Sequence, residues 1–251
     1  MGRCERSIDG VLHIGANSGQ EAGYYSKLGL KVIWIEADPD LFQTLESNIA
    51  AYCRQTAYLC LASDVDGQEV DFHIASNDGG SSSVLKIDAP LFSKEWPTIS
   101  EVRSVRLQTC RLDNFLEQHR CNLNDVNLIV ADVQGYELPV LRGLGSLING
   151  FEAIISELNW APMYRDVTKP HELESFLVRH GFRRLWLGVS WPQATGVWVR
   201  GKTSKLRHLY MFLSARLCFM AARCGLLKLL LRSGILELGR RTYYTIKGRS
   251  V

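Results

Sequence analysis

Four carboxylates and one glycine-bearing loop stand where this chain can do chemistry. The loop is Gly15-Ala16-Asn17-Ser18-Gly19, with His13 at the strand end before it, and the acids are Glu36, Asp64, Asp132 and Glu157. Each closes or follows a short apolar run: 10–14, 32–35, 57–62, 126–131 and 152–157. Runs of this kind read as buried strands. In an open α/β sheet, ligands bind outside the carboxyl ends of the strands. The loop and the four acids are therefore expected along one edge. Small residues after the first strand let the backbone approach a ligand closely. The helix start behind them offers N–H groups to a carboxylate. Glu36 lies about 20 residues past the loop, where an acid accepts both ribose hydroxyls.

That pattern suits two ligands, a nicotinamide dinucleotide and S-adenosylmethionine. The loop separates them. G-x-G-x-x-G is absent, and Asn17 stands where the second glycine would admit a pyrophosphate. S-adenosylmethionine has no pyrophosphate to clear. A nicotinamide oxidoreductase therefore fails on the loop, and a methyl donor fits it.

The elements that must hold these residues alternate. Helices are expected over 20–28, from Asp38-Pro39-Asp40 through Ile49, and over 111–120, 136–148 and 170–180. Pro39 sits at an early helical position with acids at the positive helix end. Pro139 is tolerated because it lies in a first turn. Residues 69–75 alternate as a half-exposed strand does, and 102–110, 182–188 and 196–200 complete the strands. Residues 76–100 are rich in Ser, Gly, Asp and Pro and read as one long loop, with Asn77–Ser83 in it as either a passive connection or an acceptor-side lid. Alternating strands and helices imply a mostly parallel sheet with helices on both faces.

The chain has 251 residues, which suits one α/β domain with an extension. Residues 1–200 carry net charge −7 and residues 201–251 carry +10. The boundary is expected at 201/202, between a catalytic body and a basic tail. The acidic body argues against a nucleic-acid partner. Within the tail, 205–233 is apolar and interrupted by Arg207, Arg216, Arg223, Lys228 and Arg232. Such a stretch suits peripheral contact with an anionic membrane, or packing on the domain or on a second copy. Seven scattered cysteines without C-x-x-C spacing read as reduced thiols in the cytoplasm. Neither a signal peptide nor a transmembrane run is recognised. No spacing demands a metal, and the oligomeric state stays open.

Several stretches go further. HIGANSGQE (13–21), WIEADPDLFQTLESNI (34–49), LASDVDG (61–67), SSSVL (81–85), LDNFL (112–116), DVQGYELPVLRG (132–143) and SELN (156–159) follow one another in a known order. In them the chain resembles the FkbM family of methyltransferases. The resemblance implies a class I, Rossmann-like, seven-stranded fold with S-adenosylmethionine as cofactor. It implies that Gly15, Ala16, Asn17 and Gly19 wrap the methionine part of the donor. Glu36 would hold the ribose, Ser63 and Asp64 would sit at the adenine, and Asp132 would lie beside the sulfonium and the acceptor. The family's usual residue at position 13 is Asp. A subgroup similar to this chain carries His, so His13 would meet the methionine end differently.

The implied reaction is O-methylation of a small-molecule or glycan hydroxyl. A sugar hydroxyl is a poor nucleophile at neutral pH, and a general base helps by roughly 100- to 10,000-fold. Candidates are Asp132, Glu157, Glu137 and His13, with Asp132 and Glu157 favoured as strand-end acids. Glu137, on a first helical turn, also suits the helix dipole. The alternative is a catalytically silent S-adenosylmethionine-fold module that acts through its basic tail.

Overall fold

A computed structural model describes residues 8–201. The basic tail, with its expected membrane-contacting stretch, lies outside the described residues. Among the described residues, no helix is long and apolar enough to cross a membrane.

The main sheet has seven strands: β1 (Gly10–Ile14), β2 (Lys31–Glu36), β3 (Gln55–Leu59), β7 (Leu128–Ala131), β8 (Ala153–Asn159), β9 (Phe182–Ser190) and β10 (Gln193–Arg200). Their spatial order is β3-β2-β1-β7-β8-β10-β9. The pairs from β3 to β8 are parallel, and β10 runs antiparallel to both β8 and β9. This is the mostly parallel, seven-stranded sheet expected of a class I methyltransferase fold. The strand order reverses between β1 and β7, so a crevice opens outside their carboxyl ends.

The central strands are mostly apolar because both faces are covered, with His13 in β1 and Ser156, Glu157 and Asn159 in β8 as buried polar exceptions. β1, β7 and β8 are buried along their whole length. On one face Leu12, Ile14, Ile129, Ile154 and Trp198 form a core. Three helices close it: α4 (Leu112–Gln118), α5 (Glu137–Arg142) and α6 (Pro170–Arg179). Beside β2 lie α1 (Ala22–Lys27) and α2 (Pro39–Ile49). Helix α2 starts as its sequence demands, with Asp38 as cap accepting the Asp40 amide at 2.9 Å and Pro39 behind it.

Three details differ from the sequence expectations. The run 57–62 is not one strand. β3 stops at Leu59, the Cys60 amide still reaches the Glu36 carbonyl, and the chain then leaves for a second sheet. That sheet is β4 (Leu61–Ser63), β6 (Glu101–Arg111) and β5 (Glu69–Ala75), in the order β4-β6-β5. Asp64 therefore follows a strand of the small sheet. An unbroken apolar run gives no sign of a change of partner. The segment 76–100 is likewise not all loop. It contains α3 (Ala89–Glu95), anchored by Phe92 in a cluster with Ala161, Met163 and Tyr164. Its two large apolar residues, Leu91 and Phe92, are adjacent and too few for helical periodicity to show.

The third difference is the helix expected over 136–148. α5 ends at Arg142, and a 3-10 turn (Gly145–Gly150) follows. A Cβ on Gly143 would lie 1.9 Å from the Ser63 carbonyl oxygen. Its φ of −62° is open to any residue, so only close approach to β4 requires glycine there. Alanine is ordinarily the better helix former. Gly143→Ala should instead lower stability by about 1–3 kcal/mol through overpacking. Urea unfolding measures this, and an unchanged or higher midpoint would contradict the contact.

Candidate active site

The glycine loop is folded onto the end of β2. The amides of Gly15 and Ala16 both donate to the Ile35 carbonyl, at 3.0 and 3.1 Å. Gly15 has φ +79°, and a Cβ there would sit 2.0 Å from the Asp132 carbonyl oxygen. Only glycine lets the β1 and β7 ends come this close. The Gly19 amide returns to the Ala16 carbonyl. Asn17 has φ +50°. Its side-chain oxygen accepts the Ser18 amide and the Gln20 side chain, and its Nδ2 donates to the Asp78 carbonyl at 2.9 Å.

Glu36 holds that loop. Its Oε2 accepts the Asn17 amide at 2.6 Å, and its Oε1 accepts the amides of Ala37 and Asp38 at 2.8 Å each. The side chain is buried. Burial pushes its pKa up to about 7, against the pull of the three backbone amides. A carboxylate has about four lone-pair sites. These three amides take three of them and leave one on Oε2 for a ligand hydroxyl. The steric cradle at Gly15 and this remaining acceptor fit the methionine and ribose parts of S-adenosylmethionine.

His13 occupies a different setting. It is buried, its ring stacks on Trp34 at 4.8 Å, and its Nδ1 lies 3.1 Å from the Tyr25 hydroxyl. Its β1 neighbours Leu12 and Ile14 belong to the core on the other face. The structure thus seats His13 in an aromatic stack joining β1, β2 and α1. Ser63 is buried with its Oγ 2.9 Å from the Tyr136 hydroxyl, and Asp64 follows it. That bond ties the end of β4 to the turn between β7 and α5.

The turn 132–136 gathers the remaining acids around Gln134, a residue the sequence reading passed over. Its Nε2 donates to Asp132 Oδ1 at 2.8 Å and to Glu157 Oε2 at 3.0 Å. Its Oε1 accepts the Tyr164 hydroxyl at 3.0 Å. One amide therefore fixes the orientation of both carboxyl groups. Glu157 is not at a strand end as expected. It lies inside β8, opposite Thr195 of β10, and also accepts Gln193 Nε2 at 2.9 Å. β8 runs on to Asn159 because β10 pairs with it throughout, a pairing that periodicity cannot reveal. Glu137 does sit on the first turn of α5, but its Oε1 turns back to the amides of Gly135 and Val133. That places it in the scaffold of the turn.

The long segment after β5 crosses between these two halves. Asp78 meets Asn17, the Ser83 hydroxyl donates to the Gln134 carbonyl at 2.9 Å, and the Ser81 carbonyl shares the single Tyr164 hydroxyl proton with Gln134 Oε1. The SSSVL run was the available sequence signal for Ser81 and Ser83. Tyr164 had none. Among the described residues, no group of three or more His, Cys, Asp or Glu is placed to hold a metal ion.

Two outcomes follow from the buried acids. S-adenosylhomocysteine should bind more tightly as pH rises through about 7, where Glu36 ionises and becomes the stronger acceptor. Glu36→Ala should cost at least about tenfold in affinity; calorimetry showing equal binding would remove Glu36 from the site. Glu137 is raised to about 7 by burial, with nearby Asp132 adding to the rise. A carboxyl raised on folding gives stability that is full below its unfolded pKa and lost as pH rises through its folded one. Relative to wild type, Glu137→Gln should thus look less damaging at pH 8 than at pH 6 in urea unfolding. A penalty that grows with pH would refute the assignment.

By overall structure the chain is similar to a SAM-dependent methyltransferase from Aquifex aeolicus, at 13% identity and TM-score 0.41 over 78% of this chain and 83% of that one. It is also similar to magnesium protoporphyrin IX methyltransferase from Synechocystis with bound SAM, at 11% identity and TM-score 0.45 over 77% and 72%. A third is a ribosomal protein L11 methylase from Lactobacillus delbrueckii, at 13% identity and TM-score 0.43 over 79% and 72%. No curated protein matches the chain in sequence. The family model of the methyltransferase FkbM domain matches residues 13–184, which contain the glycine loop, Glu36 and the Asp132–Gln134–Glu157 group. The chain belongs to the FkbM methyltransferase family and is an S-adenosylmethionine-dependent methyltransferase.

Proposed function

We propose that this enzyme is an O-methyltransferase whose acceptor is a hydroxyl on a glycan or a related metabolite. One observation carries the reading: Asp132 and Glu157 are held by a single amide, with the Asp132 backbone against the Gly15 loop. When bound, S-adenosylmethionine supplies an electrophilic methyl group on a positively charged sulfur. The chain's own residues have to hold the donor, point a hydroxyl at it and accept the hydroxyl proton. Gly15, Ala16, Asn17 and Gly19 form the donor cradle, and Glu36 receives a ribose hydroxyl. Ser63 and Asp64 border the adenine side.

Asp132 is the base. It begins the turn whose backbone packs on the glycine loop, which makes it the β7-end acid beside the donor cradle. Glu157 orients the acceptor, held by amides from Gln134 and Gln193. Alignment of two reactants can be worth roughly 7–11 kcal/mol in the best cases, and the Gln134 bridge is the means of alignment here. Glu137 keeps the turn in shape. The 77–83 segment covers the acceptor side, tied to both halves of the site. We place the reaction in the cytoplasm, where Cys53, Cys60, Cys110 and Cys121, all unpaired, stay reduced.

The test is methyl transfer to a panel of oligosaccharides, with product located by mass spectrometry. Asp132→Asn should lower transfer by roughly 100- to 10,000-fold while donor binding survives. Full activity in that variant, or a methyl group recovered on nitrogen or carboxylate, would overturn the reading.

A further inference from the structure

Two large rings stand in water close to the proposed acceptor group. Trp160 is 46% exposed and Trp191 is 63% exposed. Tryptophan is costly to leave in solvent, and exposed aromatic area of this kind marks a binding surface. Both residues lie at the carboxyl edge. Trp160 directly follows β8, which is parallel to β7. Trp191 and Pro192 form the turn between β9 and β10. The amides of Trp160 and Ala161 both donate to the Pro192 carbonyl, at 3.1 and 3.2 Å. The two tryptophans therefore sit on adjoining backbone.

A short polar path leads from them to Glu157. Gln193 stands opposite Asn159 in the β8–β10 pairing, and its Nε2 reaches both Glu157 Oε2 and Asn159 Oδ1, the latter at 3.5 Å. Asn159 is 3% exposed, and its Nδ2 makes no hydrogen bond within the described residues. A buried donor without a partner is uncommon and asks for an explanation. A ligand oxygen supplies one.

We infer that Trp160 and Trp191 form a platform for a sugar ring of the acceptor, with Asn159 and Gln193 reading its hydroxyls beside Glu157. A sugar ring has an apolar C–H face and a rim of hydroxyls. A flat indole suits the first, and side-chain amides, with both donor and acceptor atoms, suit the second. A purely apolar ligand would leave the amide of Asn159 unanswered. This rests on the O-methyltransferase reading and deepens it to the substrate class.

The test uses the full chain saturated with S-adenosylhomocysteine, applied to a printed array of oligosaccharides. Wild type should bind a subset of glycans. Trp191→Ala and Trp160→Ala should weaken that binding on the order of tenfold or more. Trp191→Phe, which keeps a flat ring, should retain most of it. Calorimetry with S-adenosylhomocysteine should give one donor affinity for all four proteins, which shows that they are folded. Glycan binding unchanged in both alanine variants would overturn the platform and leave the glycan acceptor standing. Donor binding without any glycan binding by wild type would remove the glycan acceptor and the platform together. If Trp191→Ala alters only self-association in sedimentation, the surface belongs to a second copy and the inference fails.

Discussion

The carboxylate of Glu36 is the fixed point of the carboxyl edge. It is removed from water, where a charge is expensive unless it is hydrogen-bonded. Its three backbone donors come from Asn17, Ala37 and Asp38. Those bonds stitch the loop after β1 to the loop after β2, and so to the cap of α2 at Asp38. From Asn17 the connection runs to Asp78, along the segment to Ser83, and on to Gln134. Gln134 then holds Asp132 and Glu157. The glycine loop and the Asp132–Gln134–Glu157 group thus share one network.

That network is strained where it turns. Asn17, Asp78 and Gln134 all have positive φ, at +50°, +54° and +54°. For residues other than glycine this conformation costs roughly 1–2 kcal/mol each, less where a short polar side chain bonds locally. Asn17 and Gln134 each spend their side chains on the network, and Asp78 contributes its carbonyl. Strain held by surrounding bonds gathers at functional sites. It fixes directions here. A left-handed residue at 134 turns its amide back between the two acids, and one at 17 presents its amide to Glu36.

The two buried glutamates show how location divides similar groups. Glu36 and Glu137 are both pushed to about 7 by burial. Glu36 faces backbone of two loops and keeps an acceptor site in hand. Glu137 closes on its own turn, at Val133 and Gly135. His13 differs again. Its stack with Trp34 and its bond to Tyr25 explain its presence in a strand that is otherwise aliphatic. An imidazole packs there as one member of an aromatic layer.

Much of the design is written locally. The apolar runs that became β1, β2 and β7, the Asp38-Pro39 start of α2, the GANSG loop and the acid at Glu36 are all set by neighbours in sequence. Strand periodicity, capping and turn chemistry act over a few residues, so they were readable there. The family pattern across 13–159 added the order of the parts. Other features depend on residues far apart in the chain. Gln134 meets Glu157 only because β7 and β8 lie side by side, and Glu157 moved from strand end to strand interior because β10 extends the pairing. The split of 57–62 between two sheets, the anchoring of α3 by Phe92, and the meeting of Trp160 with the Trp191–Pro192 turn have the same origin. The sequence by itself determined the main strands, the glycine loop after β1 and the acids Glu36 and Asp132 at the carboxyl edge of the sheet. Only the tertiary structure decided which of them touch, because side-chain hydrogen bonds across strands depend on register and burial, and neither is encoded in local spacing.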